Sequence, residues 1–148
     1  MKVAIGNDHA GVELKQELLE HLHQMGVDAV NLGVDTHESV DYPDVAAQVG
    51  RAVVRGEVEL GFLVCGTGIG VCMAANKVRG VRAAPCCYEY HARMARQHNH
   101  ANVCCIGSRV TGPELAKAIV TDFINTPVDE DERHCRRRDK IMALESAE

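Results

Sequence analysis

Five short apolar runs, each separated from the next by a stretch of helical periodicity or a glycine-rich turn, constrain this chain more than any other feature. Lys2–Gly6, Asp28–Leu32, Leu60–Val64, Val81–Pro85 and Asn102–Ile106 read as strands. Between and after them, Ala10–Met25 reads as a helix with Leu14, Leu18, Leu22 and Met25 on one stripe and Gly26 as its stop. Gly33–Tyr42 is a polar loop, and Pro43 opens a helix to about Arg55 with Val45, Val49, Ala52 and Val53 inward. Cys72–Lys77, Tyr88–His98, Pro113–Asn125 and Asp129–Leu144 are the remaining predicted helices. Strands alternating with helices predict a parallel sheet covered on both faces, with right-handed crossovers. At 148 residues the chain has room for one such domain. Only 3% of it is aromatic, with no Trp, so small aliphatics must fill the core, as suits parallel strands.

Several function classes are disfavoured at once. The net charge of -5 argues against nonspecific nucleic-acid binding. No apolar run approaches the roughly 20 residues that cross a bilayer, and Met1–Gly6 turns polar too quickly for a signal peptide. The seven cysteines are odd in number and lack any CxxC spacing. They read as reduced thiols of a cytoplasmic protein, with neither a disulfide framework nor a metal site.

Ligands of open parallel sheets bind beyond the carboxyl ends of the strands. Three polar clusters fall there: Asn7-Asp8-His9, Cys65 to Gly70, and Gly107-Ser108-Arg109. The turn Gly66-Thr67-Gly68-Ile69-Gly70 follows a buried strand and precedes a helix, so its amides are suited to an anion. It is not a dinucleotide fingerprint: GxGxxG would need a small residue at 71 or 73, where Val and Met stand. A plain tight turn using glycine for positive φ is the competing reading. Cys65 at the strand end, before amide donors, has the setting of a stabilised thiolate, and Thr67 is near enough in sequence to hydrogen-bond it. Cys72, Cys86, Cys87, Cys104 and Cys105 read as packing residues.

Asp8 is placed as a helix N-cap, a role compatible with chemistry beside His9. His98-Asn99 ends a helix and offers a titratable ring next to a neutral amide; the alternative is a simple partner of the helix dipole. Arg133 and Arg137 lie four apart, on one helical face, a pairing suited to phosphate, although a solvated charge stripe has the same pattern. Arg136 and Arg138 are expected to pair with Glu132 or Asp139, and the acidic run Asp129–Glu132 is expected in the first turn of the last helix. Cys135, among arginines, is expected to be an easily alkylated thiolate.

Taken in order, Asn7-Asp8-His9-Ala10-Gly11, Asp41-Tyr42-Pro43, Cys65-Gly66-Thr67-Gly68-Ile69-Gly70, Ala75-Asn76-Lys77, Arg96-Gln97-His98-Asn99, Gly107-Ser108-Arg109 and Arg133-His134 resemble the B-type ribose-5-phosphate isomerase family, which also holds galactose-6-phosphate isomerase subunits. The resemblance runs from residue 1 to about residue 145. It implies a three-layer α/β/α sandwich on a five-stranded parallel sheet of order 2-1-3-5-4, forming one domain over residues 1–148. It implies homodimers, some of them paired into tetramers, whose active sites draw on both chains without metal or organic cofactor. The implied reaction interconverts ribose 5-phosphate and ribulose 5-phosphate through an enediolate. A six-carbon sugar phosphate (allose or galactose 6-phosphate) and a non-catalytic anion-binding module are the alternatives. By resemblance, Cys65 is the base and Thr67 orients it, while amides of Gly66, Gly68, Ile69 and Gly70 hold the enediolate oxygens. His98 and Asp8 open the sugar ring, Tyr42 and Asn99 touch the sugar, and His9, Arg109, Arg133 and Arg137 bind the phosphate. Some family members carry Ser at the Cys65 position with a Glu a few residues on; position 69 here is Ile, which matches the cysteine subtype. The acidic run Asp129–Glu132 and the additional Arg136 and Arg138 depart from the family pattern.

Overall fold

The strand Leu60–Cys65 is buried at every position, which makes it the centre of the sheet. The computed structural model describes residues 1–146. Its elements are β1 (Lys2–Asn7), a 3-10 turn (His9–Gly11), α1 (Val12–Gln24), β2 (Asp28–Asn31), α2 (Tyr42–Val54), β3 (Leu60–Cys65), α3 (Ile69–Ala75), β4 (Ala83–Pro85), α4 (Glu89–Gln97), β5 (Val103–Gly107), α5 (Pro113–Asn125), α6 (Glu132–Ala143) and a last turn, Leu144–Ser146. All pairings are parallel and the strand order is β2-β1-β3-β5-β4, as the resemblance implies.

Alternation along the strands divides the core into two layers. Phe62 and Val64 face one side with Ile5, Cys104 and Ile106, beneath Leu14, Leu18 and Leu22 of α1, Ala92 of α4, and Ile119 and Phe123 of α5. Leu63 and Cys65 face the other with Ala4, Val103 and Cys105, beneath Val45 and Val49 of α2 and Val71 and Ala75 of α3. Phe62 and Phe123 meet edge to face at 5.8 Å, an arrangement worth about 1 kcal/mol beyond burial. No helix among the described residues is long and apolar enough to cross a membrane.

Several boundaries differ from the sequence expectation, each for a local reason. Asp8 accepts from the Ala10 N–H (2.9 Å) and so caps a 3-10 turn before α1 begins. The fourth strand starts at Ala83 because side chains satisfy its approach: Asn102 Oδ1 takes the Arg82 N–H (2.7 Å) and Asn76 Oδ1 the Ala83 N–H (2.8 Å). The third helix starts inside the glycine turn, at Ile69, with Gly68 as its N-cap. The last helix starts at Glu132, since Asp131 accepts from the Arg133 N–H (2.9 Å) as its cap. Asp129 and Glu130 therefore precede that helix instead of forming its first turn.

Candidate active site

At the carboxyl end of β3, Cys65 is 5% exposed and its Sγ accepts from the Gly68 N–H at 3.1 Å. The turn can curl this tightly because Gly68 has φ +77, a conformation L side chains rarely adopt. It also lies directly on the end of β5: a Cβ at Gly107 would sit 2.6 Å from the carbonyl carbon and oxygen of Thr67. Backbone bonds fasten the two ends together, Ser108 N–H to Cys65 C=O (2.8 Å) and Arg109 N–H to Gly66 C=O (3.0 Å).

Two side chains close on this turn. The Arg109 guanidinium lies beside Gly66, where an added Cβ would come within 3.2 Å of Nη1. The Tyr42 ring lies against Gly70, where a Cβ would be 2.6 Å from Cζ and 2.9 Å from the hydroxyl. On the adjacent strand, the Asp8 N–H donates to Val64 C=O (3.2 Å), and Ser108 Oγ donates to Ala10 C=O (2.7 Å). His9 follows Asp8, and its Nδ1 accepts from the Val40 N–H at 3.3 Å. A cleft of about 500 Å³ on the far side of Arg109 runs between α1 and the start of α5, lined by Glu13, Glu17 and Thr111 and by neither Cys65 nor the glycine turn. Asp8, His9, Tyr42, Cys65, Thr67, Gly66–Gly70 and Arg109 thus share one end of the sheet. Thr67 is present but does not bond the sulfur; its hydroxyl accepts from the Ile69 N–H at 3.2 Å.

The other thiols separate from Cys65. Burial pushes the Cys104 thiol well up, and the Cys72 hydrogen bond followed by burial does the same for Cys105. Cys72 is shifted down by its hydrogen bond with Cys105, against the cost of burial. Cys72, Cys86, Cys104 and Cys105 are packing residues as expected, whereas Cys87 is half-buried beyond the end of β4.

A second polar cluster occupies the opposite, amino end. His98 and Asn99 follow α4 and precede β5, in a register where Val103 pairs with Gly61 and Gly107 with Cys65. Since each residue of a strand advances about 3.3 Å, the start of β5 lies about 13 Å from the level of the thiol. His98 stacks on His134 with centroids 4.2 Å apart and an interplanar angle of 7°. His134 is buried, 3.7 Å from the Asp129 carboxylate and 3.4 Å from Arg133 Nη2. Arg133 and Arg137 are exposed on α6. A cleft of about 400 Å³ lies here, lined by Asn76, Arg82, Asn99 and Met142. Burial first, then Arg82, Arg96 and Arg138, lowers His100 from the ordinary histidine value, with Glu130 opposing. Within one chain, His98, Asn99, Arg133 and Arg137 therefore do not meet Cys65.

Two expectations about the last helix are corrected. Arg136 pairs with Glu132 (4.0 Å), but Arg138 turns to Glu130 (3.6 Å) and the Asp129 carbonyl (3.2 Å) and not to Asp139. The Cys135 thiol is pushed up, by desolvation first and by the Glu130 carboxylate, with Arg138 opposing. Its Sγ lies 3.0 Å from Arg138 Nη2 and 3.6 Å from that carboxylate; desolvation and the carboxylate together outweigh the arginine, against the stabilised thiolate expected from the sequence.

Sequence reasoning passed over Lys15, which is completely buried, as is Asn7 of the first polar cluster. The signal for Lys15 was its place on the apolar stripe with Leu18 and Leu22, three and seven residues on.

The family model described as Ribose/Galactose Isomerase matches residues 3–141. The ribose-5-phosphate isomerase B of Escherichia coli is 46% identical over 144 residues, 97% of this chain and 96% of that protein. The D-erythrulose-4-phosphate isomerase of Pectobacterium atrosepticum is 46% identical over 126 residues, 84% of this chain and 83% of that one. The solved ribose-5-phosphate isomerase B of Mycoplasma genitalium, with bound ribulose-5-phosphate, matches with a TM-score of 0.92 at 43% identity, covering 99% of this chain and 97% of that one. With the same fold and sequence similarity along nearly its whole length, the chain belongs to the ribose/galactose isomerase family.

Proposed function

We propose that this protein is an aldose–ketose isomerase that interconverts ribose 5-phosphate and ribulose 5-phosphate. The observation that carries the reading is the Cys65 sulfur, held 3.1 Å from the Gly68 N–H at the mouth of a glycine turn flanked by Arg109 and Tyr42. A hydrogen alpha to a carbonyl is weakly acidic, so its removal needs a base near neutral pKa and donors for the new oxyanion. The Cys65 thiolate takes the proton from one of C1 and C2 and returns it to the other, one base serving both half-reactions. Amides of the Gly66–Gly70 turn receive the enediolate oxygens, and Thr67 orders the turn through Ile69. Tyr42 contacts the sugar, and Asp8 helps open the furanose ring. Arg109 and His9 hold the phosphate, whose binding energy keeps the reacting carbons against the sulfur.

The working unit is a homodimer. His98, Asn99, Arg133 and Arg137 lie at the wrong end of their own sheet and reach this site from the other chain, where His98 acts as the acid in ring opening and the two arginines complete the phosphate clamp. The split of the polar residues between the two ends of the sheet supports this arrangement. All seven cysteines are free, which fits work in a reducing compartment, the cytoplasm.

The relative named D-erythrulose-4-phosphate isomerase favours a second reading, in which the sugar carries a different number of carbons. A substrate panel decides: ribose 5-phosphate, allose 6-phosphate, galactose 6-phosphate and erythrulose 4-phosphate, each followed to its isomer. Ribose 5-phosphate is expected to lead in kcat/KM by about tenfold or more, the usual effect of one carbon in a fitted pocket. A four- or six-carbon phosphate in the lead replaces the substrate assignment, and no turnover of any of the four ends the isomerase reading.

A further inference from the structure

Lys15 is the bulkiest of the completely buried side chains, 0% exposed, and the proposed chemistry makes no use of it. Its ammonium donates to the Val34 carbonyl (2.7 Å), to Asn31 Oδ1 (3.4 Å) and to the Asp35 carboxylate. Three acceptors satisfy its three donors. Burying an ammonium is costly even when paired, and an apolar side chain at this place on α1 would carry no such cost. The value of the cation therefore lies in what it holds, which is the loop of residues 32–41 between β2 and α2.

That loop is tied to the site at both ends. Near its start, the Val34 carbonyl that receives Lys15 also accepts from Asn7 Nδ2 (3.0 Å), and the same amide donates to the Asp8 carbonyl (2.8 Å). Near its finish, the Val40 N–H donates to His9 Nδ1 at 3.3 Å, and two residues later the chain enters α2 at Tyr42. His37 and Glu13 add an exposed tie in between. A backbone N–H can only donate, so Nδ1 must present its lone pair. The neutral ring then carries its proton on Nε2.

We infer that Lys15 is a positioning residue: it anchors loop 32–41 so that the Val40 N–H holds His9 in the Nε2–H tautomer, as a fixed donor to the anionic end of the substrate. What His9 meets rests on the proposed isomerase reading; the tautomer lock does not.

Nitrogen-15 NMR of the histidine rings reads the tautomer directly, in the free protein and without turnover. In the wild type His9 is expected to show a protonated Nε2 and a bare Nδ1. In Lys15→Met that signature is expected to give way to a mixture of tautomers. Lys15→Met should fold, because Asp35 is left facing solvent and the Val34 carbonyl keeps Asn7. Val40→Pro deletes the donor while leaving Lys15 in place, and should release the tautomer in the same way. In both variants KM for ribose 5-phosphate should rise roughly tenfold with kcat changed much less, the mark of lost binding in ground and transition states alike. A wild-type His9 protonated on Nδ1, or a signature that survives both substitutions, overturns the inference even if melting temperature falls. A released tautomer with KM unmoved upholds the anchor and instead removes His9 from the proposed phosphate site.

Discussion

Cys65→Ala lowers kcat for ribose 5-phosphate by roughly a hundredfold to ten-thousandfold, the range supplied by a positioned general base. That loss corresponds to about 3 to 5 kcal/mol of transition-state stabilisation. KM and the melting transition change little by comparison. The truncation removes one sulfur at the carboxyl end of the central strand, and the Gly68 N–H loses its acceptor at a net cost of about 1 kcal/mol. The separation of the two effects matters, because Cys65 also belongs to the apolar layer under α2 and α3. Initial rates of ketose formation, with calorimetric unfolding of the same samples, check it. Turnover near that of the wild type takes Cys65 out of the mechanism, and a collapse of stability together with activity makes it a packing residue only.

A mixture of two inactive variants regains activity. Cys65→Ala lacks the base at the carboxyl end of β3, and His98→Ala lacks the ring at the amino end of β5. Each homodimer carries the same defect at both of its sites. If every site combines Cys65 of one chain with His98 of the other, a mixed dimer holds one site with both groups intact and one with neither. Random re-pairing places half of the dimers in that class, so about one quarter of wild-type activity returns. Unfolding and refolding the mixture, or coexpressing the two chains, supplies the exchange, and the regained rate is read against the unmixed variants. Activity that stays at the level of the separate variants after exchange means that both groups serve the same chain or that one of them is dispensable.

The alternation of apolar runs and helical stretches made the parallel sheet legible, because the two periodicities are local. Strand order is not local, and it came from the resemblance. Element boundaries were displaced wherever a side chain stood in for a backbone partner, as Asn76 and Asn102 do ahead of β4 and Asp131 does ahead of α6. Cys65, Asp8 and Arg109 were legible as neighbours since each follows a strand, and parallel strands end together. The same rule places His98 apart from them: a residue between a helix and the next strand lies at the opposite end, so that separation was also readable. The setting of Cys135 was not, since Glu130 reaches it only through the way the chain enters α6. Nor was the role of Lys15, whose partners lie sixteen to twenty residues away, Asn31 at the end of β2 and Val34 and Asp35 in a loop without periodicity.

The central claim is that one sulfur, among seven, meets the reacting carbons of the sugar. Timed alkylation with iodoacetamide, followed by peptide mass spectrometry and residual activity, tests it directly. Cys104 and Cys105, buried and with their thiols pushed well up, are expected to stay unlabelled. Loss of activity is expected to track one label per chain on Cys65 and to slow when ribose 5-phosphate is present. Inactivation with Cys65 unmodified, or full activity with Cys65 modified, contradicts the account.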